Sequence, residues 1–149
     1  MSLKQKIALL LIVSLAPAAV AQAQSEKTSM TSKALEWNSL EVRTNATGSS
    51  RKILEGPTAN LEMLECHAST LNPGLTNHAI LKRPNDELII VKEGTIEAFV
   101  GDKWVRVGPG SVVFNAANVP QSMRNPGDVP ATYHVITFRT PTVPKPSGP

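Results

Sequence analysis

Turn-forming residues divide the chain, after its first 24 positions, into short apolar-rich segments. Gly, Pro, Asn and Asp recur every 6–12 residues, for example at Gly56-Pro57, Pro73-Gly74 and Gly108-Pro-Gly110. Between these turns no segment has the spacing of apolar residues that an amphipathic helix needs. About ten short strands separated by turns are typical of a sandwich or barrel. The sequence therefore predicts an all-β fold, either a β-barrel or a jelly roll.

The strands are predicted from alternating or continuous apolar segments bounded by turns. They are Trp37–Val42 (a strand or a docked arm), Arg51–Leu54, Leu61–Leu71, Asn77–Lys82, Asp86–Lys92, Thr95–Val100, Trp104–Val107, Ser111–Phe114, Gln121–Asn125 and Ala131–Phe138. The polar segments Thr44–Ser50 and Asn115–Pro120 are predicted to be loops. Asn45-Ala-Thr47 fits the acceptor pattern for N-glycosylation.

The first 23 residues have the pattern of a secretory signal peptide. Lys4 and Lys6 precede the apolar segment Ile7–Ala16, and small residues that suit cleavage follow at Ala19-Val-Ala21 and Ala21-Gln-Ala23. A buried N-terminal helix is the alternative, whereas the apolar segment is too short to cross a membrane. We therefore expect a secreted or periplasmic protein that has no membrane contact after cleavage.

The remaining chain divides into a flexible lead at 24–36, a single domain at 37–140 and an extended proline-rich tail at 141–149. Without the leader, 13 basic residues face 12 acidic ones and no basic cluster remains, which argues against nucleic acid as a partner. Cys66 is the only cysteine, so the chain has no internal disulfide. Cys66 is predicted to be a buried hydrophobe. A catalytic thiol is the alternative, but the adjacent His67 should face the other side of a strand.

The segment Asn72–Gly94 places a charge where apolar residues begin. It opens with the Pro73-Gly74 turn, and Glu87 directly precedes the apolar residues Leu88–Val91. A carboxylate that enters a buried strand needs a partner, because an unpaired buried charge is costly. The identity of that partner is the central question for function.

Two ordered motifs in the chain resemble those of the cupin superfamily, over roughly residues 37–140. Pro73-Gly74, Glu87 and Gly94 fit the first motif, and Gly108-Pro-Gly110 with Asn125 fits the second. The resemblance implies a cupin-type jelly-roll barrel. In that family two histidines, the glutamate and a third histidine bind a divalent metal, which supports dioxygenase, isomerase or decarboxylase chemistry.

The four positions that match the family's metal ligands are occupied here by Leu81, Arg83, Glu87 and Gln121. Leucine has no donor atom and arginine stays protonated, so no metal is expected at this place. Arg83 can instead occupy the place of the cation and pair with Glu87, with Gln121 completing the network. The candidate ligand-pocket residues are Leu81, Arg83, Glu87, Gln121 and Asn125, and the expected ligand is a small molecule such as a carboxylate.

Three other interpretations stay open, and no catalytic residue is identified. In the first, Arg83 and Glu87 form a purely structural ion pair. In the second, His67, His78 and His134 form a relocated transition-metal site of a cupin enzyme, although His78 should point away from residues 81 and 83 if the strand is regular. In the third, the barrel interior is packed and the protein has a structural or interaction role. Family habit and exposed sheet edges also lead us to expect a homodimer.

Overall fold

The structure is a computed structural model and describes residues 28–141. The predicted signal peptide, the start of the lead and most of the proline-rich tail lie outside these residues. A short 3-10 turn spans Trp37–Ser39. The strands are β1 (Val42–Asn45), β2 (Gly48–Gly56), β3 (Met63–Leu71), β4 (Leu81–Lys82), β5 (Asp86–Glu93), β6 (Ile96–Val100), β7 (Lys103–Val107), β8 (Val112–Asn115), β9 (Pro120–Gln121), β10 (Met123–Arg124) and β11 (Ala131–Arg139).

The strands form a jelly-roll barrel, as the sequence predicts. The largest sheet has six antiparallel strands in the order β1-β2-β3-β11-β5-β8, so the last strand lies between β3 and β5. A three-stranded sheet, β10-β6-β7, and the short pair β4-β9 complete the barrel. Within residues 28–141, no helix combines the length and the apolar character that a membrane crossing requires.

Alternation along the strands decides which side chains enter the barrel. In β5, Glu87, Ile89 and Val91 are buried, whereas Leu88 and Ile90 between them are only half-buried on the outer face. The inward residues of both larger sheets meet in one apolar core. Its members are Leu71, Ile89, Val91, Ile96, Ala98, Val113, Met123, Ala131, Tyr133 and Val135.

The β5–β6 turn requires a glycine at its first residue, Gly94. Gly94 has a φ of 74°, a left-handed conformation that favours glycine. A side-chain carbon at this position would come within 2.8 Å of the Pro130 carbonyl oxygen and of the Ala131 backbone. The turn can therefore lie against the start of β11 only because residue 94 has no side chain.

The N-terminal part of the domain differs from the sequence prediction. Thr44–Ser50 is not a loop, because β1 and β2 form a hairpin in which Asn45 pairs with Gly48. The side chain of Asn45 accepts hydrogen bonds from the backbone of Thr47 and Gly48 and fixes the two-residue turn. Trp37–Val42 is the docked arm that the sequence allows and not a strand: it begins as the 3-10 turn, and β1 starts only at Val42. Arg51 of β2 donates hydrogen bonds to the carbonyl oxygens of Trp37 and Leu40 and holds the arm in place.

The predicted strand Asn77–Lys82 is mostly irregular, and only Leu81–Lys82 pairs with a neighbour. The Asn77 side-chain oxygen accepts hydrogen bonds from the backbone of His78 and Met123. These local bonds compete with a regular ladder and bend the chain. The predicted strand Gln121–Asn125 is likewise divided, into β9 and β10 on either side of Ser122.

Candidate functional site

One end of the barrel interior is hollow. A cavity of 310 Å³ opens beside the apolar core, and most of the side chains around it are polar. A volume of this size can hold one small ligand. The residues used in the following argument are Glu65, His67 and Ser69 of β3, Glu87 of β5, Tyr133 and Thr137 of β11, and His78 and Arg83 of the irregular segment before β5.

Side chains alternate between the two faces of a β-strand, so β3 contributes residues both to the cavity and to the outer face. Glu65, His67 and Ser69 are two residues apart and line the cavity. Cys66 lies between them and is half-buried, and it is not among the residues that line the cavity. Burial raises the pKa of the Cys66 thiol, and the negative charge of Glu65 adds to the effect. A protonated thiol outside the cavity is poorly suited to catalysis there.

Arg83 and Glu87 meet at the cavity wall, as the sequence predicts. The Arg83 Nε lies 3.5 Å from the Glu87 Oε1, and the Glu87 residue is 8% exposed. The contact involves one nitrogen, not the bidentate pair expected from the sequence. In the described part of the chain, the two terminal nitrogens of Arg83 have no hydrogen-bond partner, and 42% of its side chain is accessible. These two nitrogens form a free fork at the cavity.

Gln121 and Leu81 lie beside the cavity and do not line it. They face each other across the β4–β9 pair. Gln121 is 3% exposed, and its carbonyl oxygen accepts a hydrogen bond of 2.5 Å from the Asn115 side chain. Asn115 in turn pairs with Glu87 across β5 and β8. The amide nitrogen of Gln121 is buried without a partner among residues 28–141, so Gln121 does not complete the pair of Arg83 and Glu87 by a hydrogen bond.

Asn125 has a structural position. It is 1% exposed, and its amide donates hydrogen bonds to the carbonyl oxygens of Leu71 and Val129. Its side-chain oxygen accepts a bond from the Gly127 backbone. These bonds occupy the amide on both sides, away from the cavity. The structure thus places this pocket candidate in the turn before β11, where it joins that turn to β3.

The three histidines do not converge. His67 and His78 line the cavity, whereas His134 packs on the Trp37 ring at 6.1 Å between ring centres. His78 is expected to point away from Arg83 only if the strand is regular; the segment is irregular, and both residues line the cavity. The reason is the bend at Asn77, which removes the regular alternation on which that expectation depended.

Two cavity residues escape the sequence prediction. Glu65 pairs with His67 through an Oε1–Nδ1 contact of 3.0 Å. Tyr133 is 3% exposed, and burial raises the pKa of its hydroxyl to about 12, so the group stays neutral. The signal for Glu65 is present in the sequence, because Glu65, His67 and Ser69 put polar side chains on one face of a predicted strand.

A family model described as "Cupin domain" matches residues 68–137. The chain carries a cupin domain. No curated protein matches the sequence significantly. The match to the family model begins inside β3 and ends inside β11, so it includes Arg83 and Glu87 and omits the β1–β2 hairpin and Glu65.

Solved structures share the cupin fold at low sequence identity. A sugar phosphate isomerase of the cupin superfamily from Silicibacter pomeroyi is 23% identical, with a TM-score of 0.58, and the match covers 73% of this chain and 77% of that one. An RmlC-like cupin from Shewanella frigidimarina is 12% identical, with a TM-score of 0.60 and coverages of 76% and 94%. The polyketide cyclase RemF from Streptomyces resistomycificus is 15% identical, with a TM-score of 0.60 and coverages of 76% and 87%. At these identities the likeness establishes the fold alone.

The donor groups of this cupin domain do not fit the metal that the family binds. At the matching positions Leu81 offers no donor, and the Arg83 cation lies 3.5 Å from Glu87, the one strong ligand. Elsewhere in residues 28–141, no three His, Cys, Asp or Glu side chains are grouped as metal ligands. Any chemistry at this site therefore depends on the side chains that line it.

Proposed function

We propose that this protein is a small-molecule-binding cupin whose cavity holds a small carboxylate against Arg83. One observation carries the proposal: the guanidinium uses only its Nε for Glu87 and leaves its terminal nitrogens free at a polar cavity of 310 Å³. Two parallel N–H groups match the two oxygens of a carboxylate and bind it in bidentate fashion. The site thus offers an anion a geometry that a structural ion pair alone would not need.

Glu87 orients the Arg83 guanidinium for this binding. Glu87 holds the Nε side of the guanidinium and limits its rotation, so less side-chain freedom is lost when a ligand binds. Glu87 is buried, and the free fork remains accessible because the Arg83 side chain is 42% exposed. The two residues together form a carboxylate receptor with a fixed orientation.

A ligand screen tests the proposal directly. The protein lacking residues 1–23 is heated with hydroxy, oxo and dicarboxylic acids of two to six carbons, and also with sugar phosphates, because one structural neighbour is a sugar phosphate isomerase. Carboxylates that bind should raise the melting temperature in proportion to their concentration above Kd. Calorimetry then gives the affinity of each hit.

Substitution of the fork gives the decisive comparison. Arg83→Ala should weaken binding of the best carboxylate by about tenfold to a hundredfold, since charge-assisted hydrogen bonds contribute about 1.5–3 kcal/mol. Arg83→Lys should keep the charge and lose part of the affinity. Arg106→Ala, an exposed arginine on β7 outside the cavity, is the matched control. Equal affinity in the wild type and Arg83→Ala would overturn the carboxylate site, and a preference for phosphates would reassign the anion.

We also propose that the protein is exported and that its leader is removed. The proposal rests on the sequence pattern of residues 1–23. Expression of the full chain in a bacterium should yield a mature protein whose first residue follows Ala21 or Ala23. Mass spectrometry of the intact protein measures that position, and an unprocessed chain that begins at Met1 would contradict export by this leader.

We also propose that the protein is a homodimer, in which the edge strand β8 of the six-stranded sheet contacts a second copy of the chain. In the described chain, Val112 and Phe114 of the edge strand β8 are 56% and 55% exposed. Exposed apolar residues on an edge strand are typical of pairing surfaces. Light scattering should give twice the mass of the chain, and Phe114→Glu should give a monomer. Val129→Glu, at an equally exposed site away from β8, is the control.

A further inference from the structure

The cavity contains a second polar pair, on β3 and not on the irregular segment that carries Arg83. Glu65 and His67 are two residues apart on β3, and both line the cavity. The His67 Nδ1 lies 3.0 Å from the Glu65 Oε1. Both side chains are partly accessible, 26% for His67 and 32% for Glu65, so a ligand in the cavity can reach them. The pair does not contribute to the carboxylate fork and needs an explanation of its own.

The chemistry of the two groups decides which nitrogen of His67 carries the proton. An ionised carboxylate only accepts hydrogen bonds, so the Nδ1 of His67 must donate to Glu65. In the neutral ring, the Nε2 then carries the free lone pair and acts as a base. When Nε2 takes up a proton, the resulting imidazolium remains in contact with the negative charge of Glu65. The pair is therefore arranged to accept a proton and to stabilise the product of that transfer.

We infer that His67, oriented by Glu65, is a proton-transfer base that acts on the carboxylate ligand held by Arg83. The substrate class is a small 2-oxo acid, because a C–H bond next to a ketone is acidic enough for a histidine base to break. This inference rests on the proposed function, since Arg83 binds the carboxylate group of the substrate. It identifies His67 as a catalytic residue and Glu65 as a positioning residue.

The step balances without another reactant. The C3–H bond of the 2-oxo acid breaks, its proton forms an N–H bond at Nε2, and its electron pair moves into the enolate. The negative charge of the enolate develops on the former ketone oxygen. His67 then returns a proton to the enolate carbon, which regenerates the neutral base. Because the proton on Nε2 exchanges with water before one is returned, the net reaction is exchange of the C3 proton with solvent, in which nothing is oxidised or reduced.

A neutral donor on the neighbouring strand β11 supports this chemistry. Tyr133 lines the same cavity, and burial keeps its hydroxyl protonated. A neutral hydroxyl in a buried position can donate a hydrogen bond to the oxygen on which negative charge develops. Val135 and Thr137, on the same face of β11, line the cavity wall next to it. The cavity thus combines a cationic fork, a base and a neutral donor.

Proton exchange in heavy water tests the inference. Pyruvate and 2-oxobutyrate are incubated with the protein and a chelator, and NMR follows the loss of the C3 proton signal. The wild type should accelerate this loss over buffer, and His67→Gln should reduce the acceleration by about a hundredfold or more. Calorimetry should show an unchanged ligand affinity for His67→Gln. The control His134→Gln alters a histidine that packs on Trp37 outside the cavity, and it should retain exchange.

The positioning role of Glu65 has its own readout. Glu65→Gln should slow exchange by about tenfold with little change in affinity, and Glu65→Asp should recover part of the rate. A residue that only supports the fold would change affinity and rate together. Melting curves establish that each variant is folded, and His67→Asn replaces His67→Gln if the latter unfolds.

The outcomes separate this inference from the proposed function. In one outcome both oxo acids bind, Arg83→Ala lowers their affinity, and their C3 protons do not exchange. The proton-transfer role is then overturned and the carboxylate site stands. If the neutral ketone 2-butanone exchanges as fast as the acids in a His67-dependent manner, the base stands and the carboxylate proposal fails. If neither oxo acid binds or exchanges, the inference is overturned.

Discussion

The two halves of the barrel interior differ, although the same strands build both. On β3 the inward residue Leu71 belongs to the apolar core and borders the cavity, whereas His67 lines the cavity and is not part of the core. On β5 the change occurs between Ile89 and Glu87, and on β11 between Ala131 and Thr137. The strands thus keep one period along their whole length while the inward side chains change from apolar to polar. The ladder between β3 and β11 runs without interruption through both halves, from the pair Leu71 and Ala131 to the pair Met63 and Arg139.

The comparison separates the residues that stabilise the fold from those available for chemistry. The packed half gains free energy from burial of aliphatic side chains at about 25 cal/mol per Å². The hollow half contains charges, whose burial is costly unless they are paired. Both carboxylates of the cavity, Glu65 and Glu87, have a cationic or hydrogen-bonding neighbour. The cavity can therefore persist in the barrel because the core beside it is fully packed.

The largest expected effect contrasts one residue from each half. Ile89→Ala, at a position with no exposure, should lower the free energy of unfolding by about 4 kcal/mol, because it leaves a void in the packed half. Thr137→Ala, at a buried position on the cavity wall, should cost about 1 kcal/mol or less. Urea unfolding of both variants measures the difference. Equal losses would mean that the hollow half is as tightly packed as the core.

The next effect is a pH dependence at the boundary of the two halves. Tyr133 belongs to the core and lines the cavity, and its pKa is raised from 10 to about 12. Below pH 10 the hydroxyl is protonated in both the folded and the unfolded chain, so it causes no change. Between pH 10 and about 12 only the unfolded chain ionises, and stability should fall by about 3 kcal/mol.

Two measurements check this pH dependence. Tyr133 is the only tyrosine of the chain, so ultraviolet absorbance reports its ionisation without overlap from another phenol. The folded protein should titrate about two pH units above the protein in denaturant. Tyr133→Phe should remove this part of the alkaline destabilisation. A native midpoint near 10 would show that the cavity hydrates the hydroxyl.

A smaller loss is expected for Asn125→Ala. The side chain makes three hydrogen bonds, to Leu71, Val129 and Gly127, and its removal leaves buried backbone groups without partners. The free energy of unfolding should fall by about 2 kcal/mol, while carboxylate affinity should stay unchanged in the folded protein. Thermal unfolding and calorimetry on one sample measure both. A loss of affinity at full stability would return Asn125 to the ligand pocket.

The smallest effect is the coupling between Arg83 and Glu87. A double-mutant cycle with Arg83→Ala and Glu87→Gln should give a coupling of about 1 kcal/mol or less, because the contact is single and the arginine is partly solvated. The cycle is measured by denaturant unfolding at low and high salt. A coupling of several kcal/mol would make the pair a structural element and would favour the purely structural interpretation.

Sequence reasoning is accurate where the strands border the core. Asp86–Lys92 and Ala131–Phe138 are predicted within one residue of β5 and β11, because alternation toward an apolar core leaves a clear period. The same reasoning fails at Thr44–Ser50, which has the composition of a loop. Asn45, Thr47 and Ser49 of this segment border the polar cavity, so the hairpin there needs no apolar face. Polarity inside the barrel conceals the hairpin.

The site is predicted in part, for a related reason. The ion pair of Arg83 and Glu87 follows from the matching of motifs, because the two residues are close in sequence. The pair of Glu65 and His67 requires knowledge of which face of β3 lines the cavity, and the position of Asn115 beside Gln121 requires the register of β5 and β8. The position of His78 depends on the bend at Asn77, which propensity and periodicity do not encode.

The permanent charge of Arg83 has a consequence for the conditions under which the site can work. A metal-binding cupin depends on the supply of its ion and loses it to chelators, to competing metals or to acid. A guanidinium is part of the chain, and it remains charged at every pH that a folded protein ordinarily meets. Glu87 keeps its counterion without any import, loading or exchange step. The proposed binding site is thus complete as soon as the chain has folded.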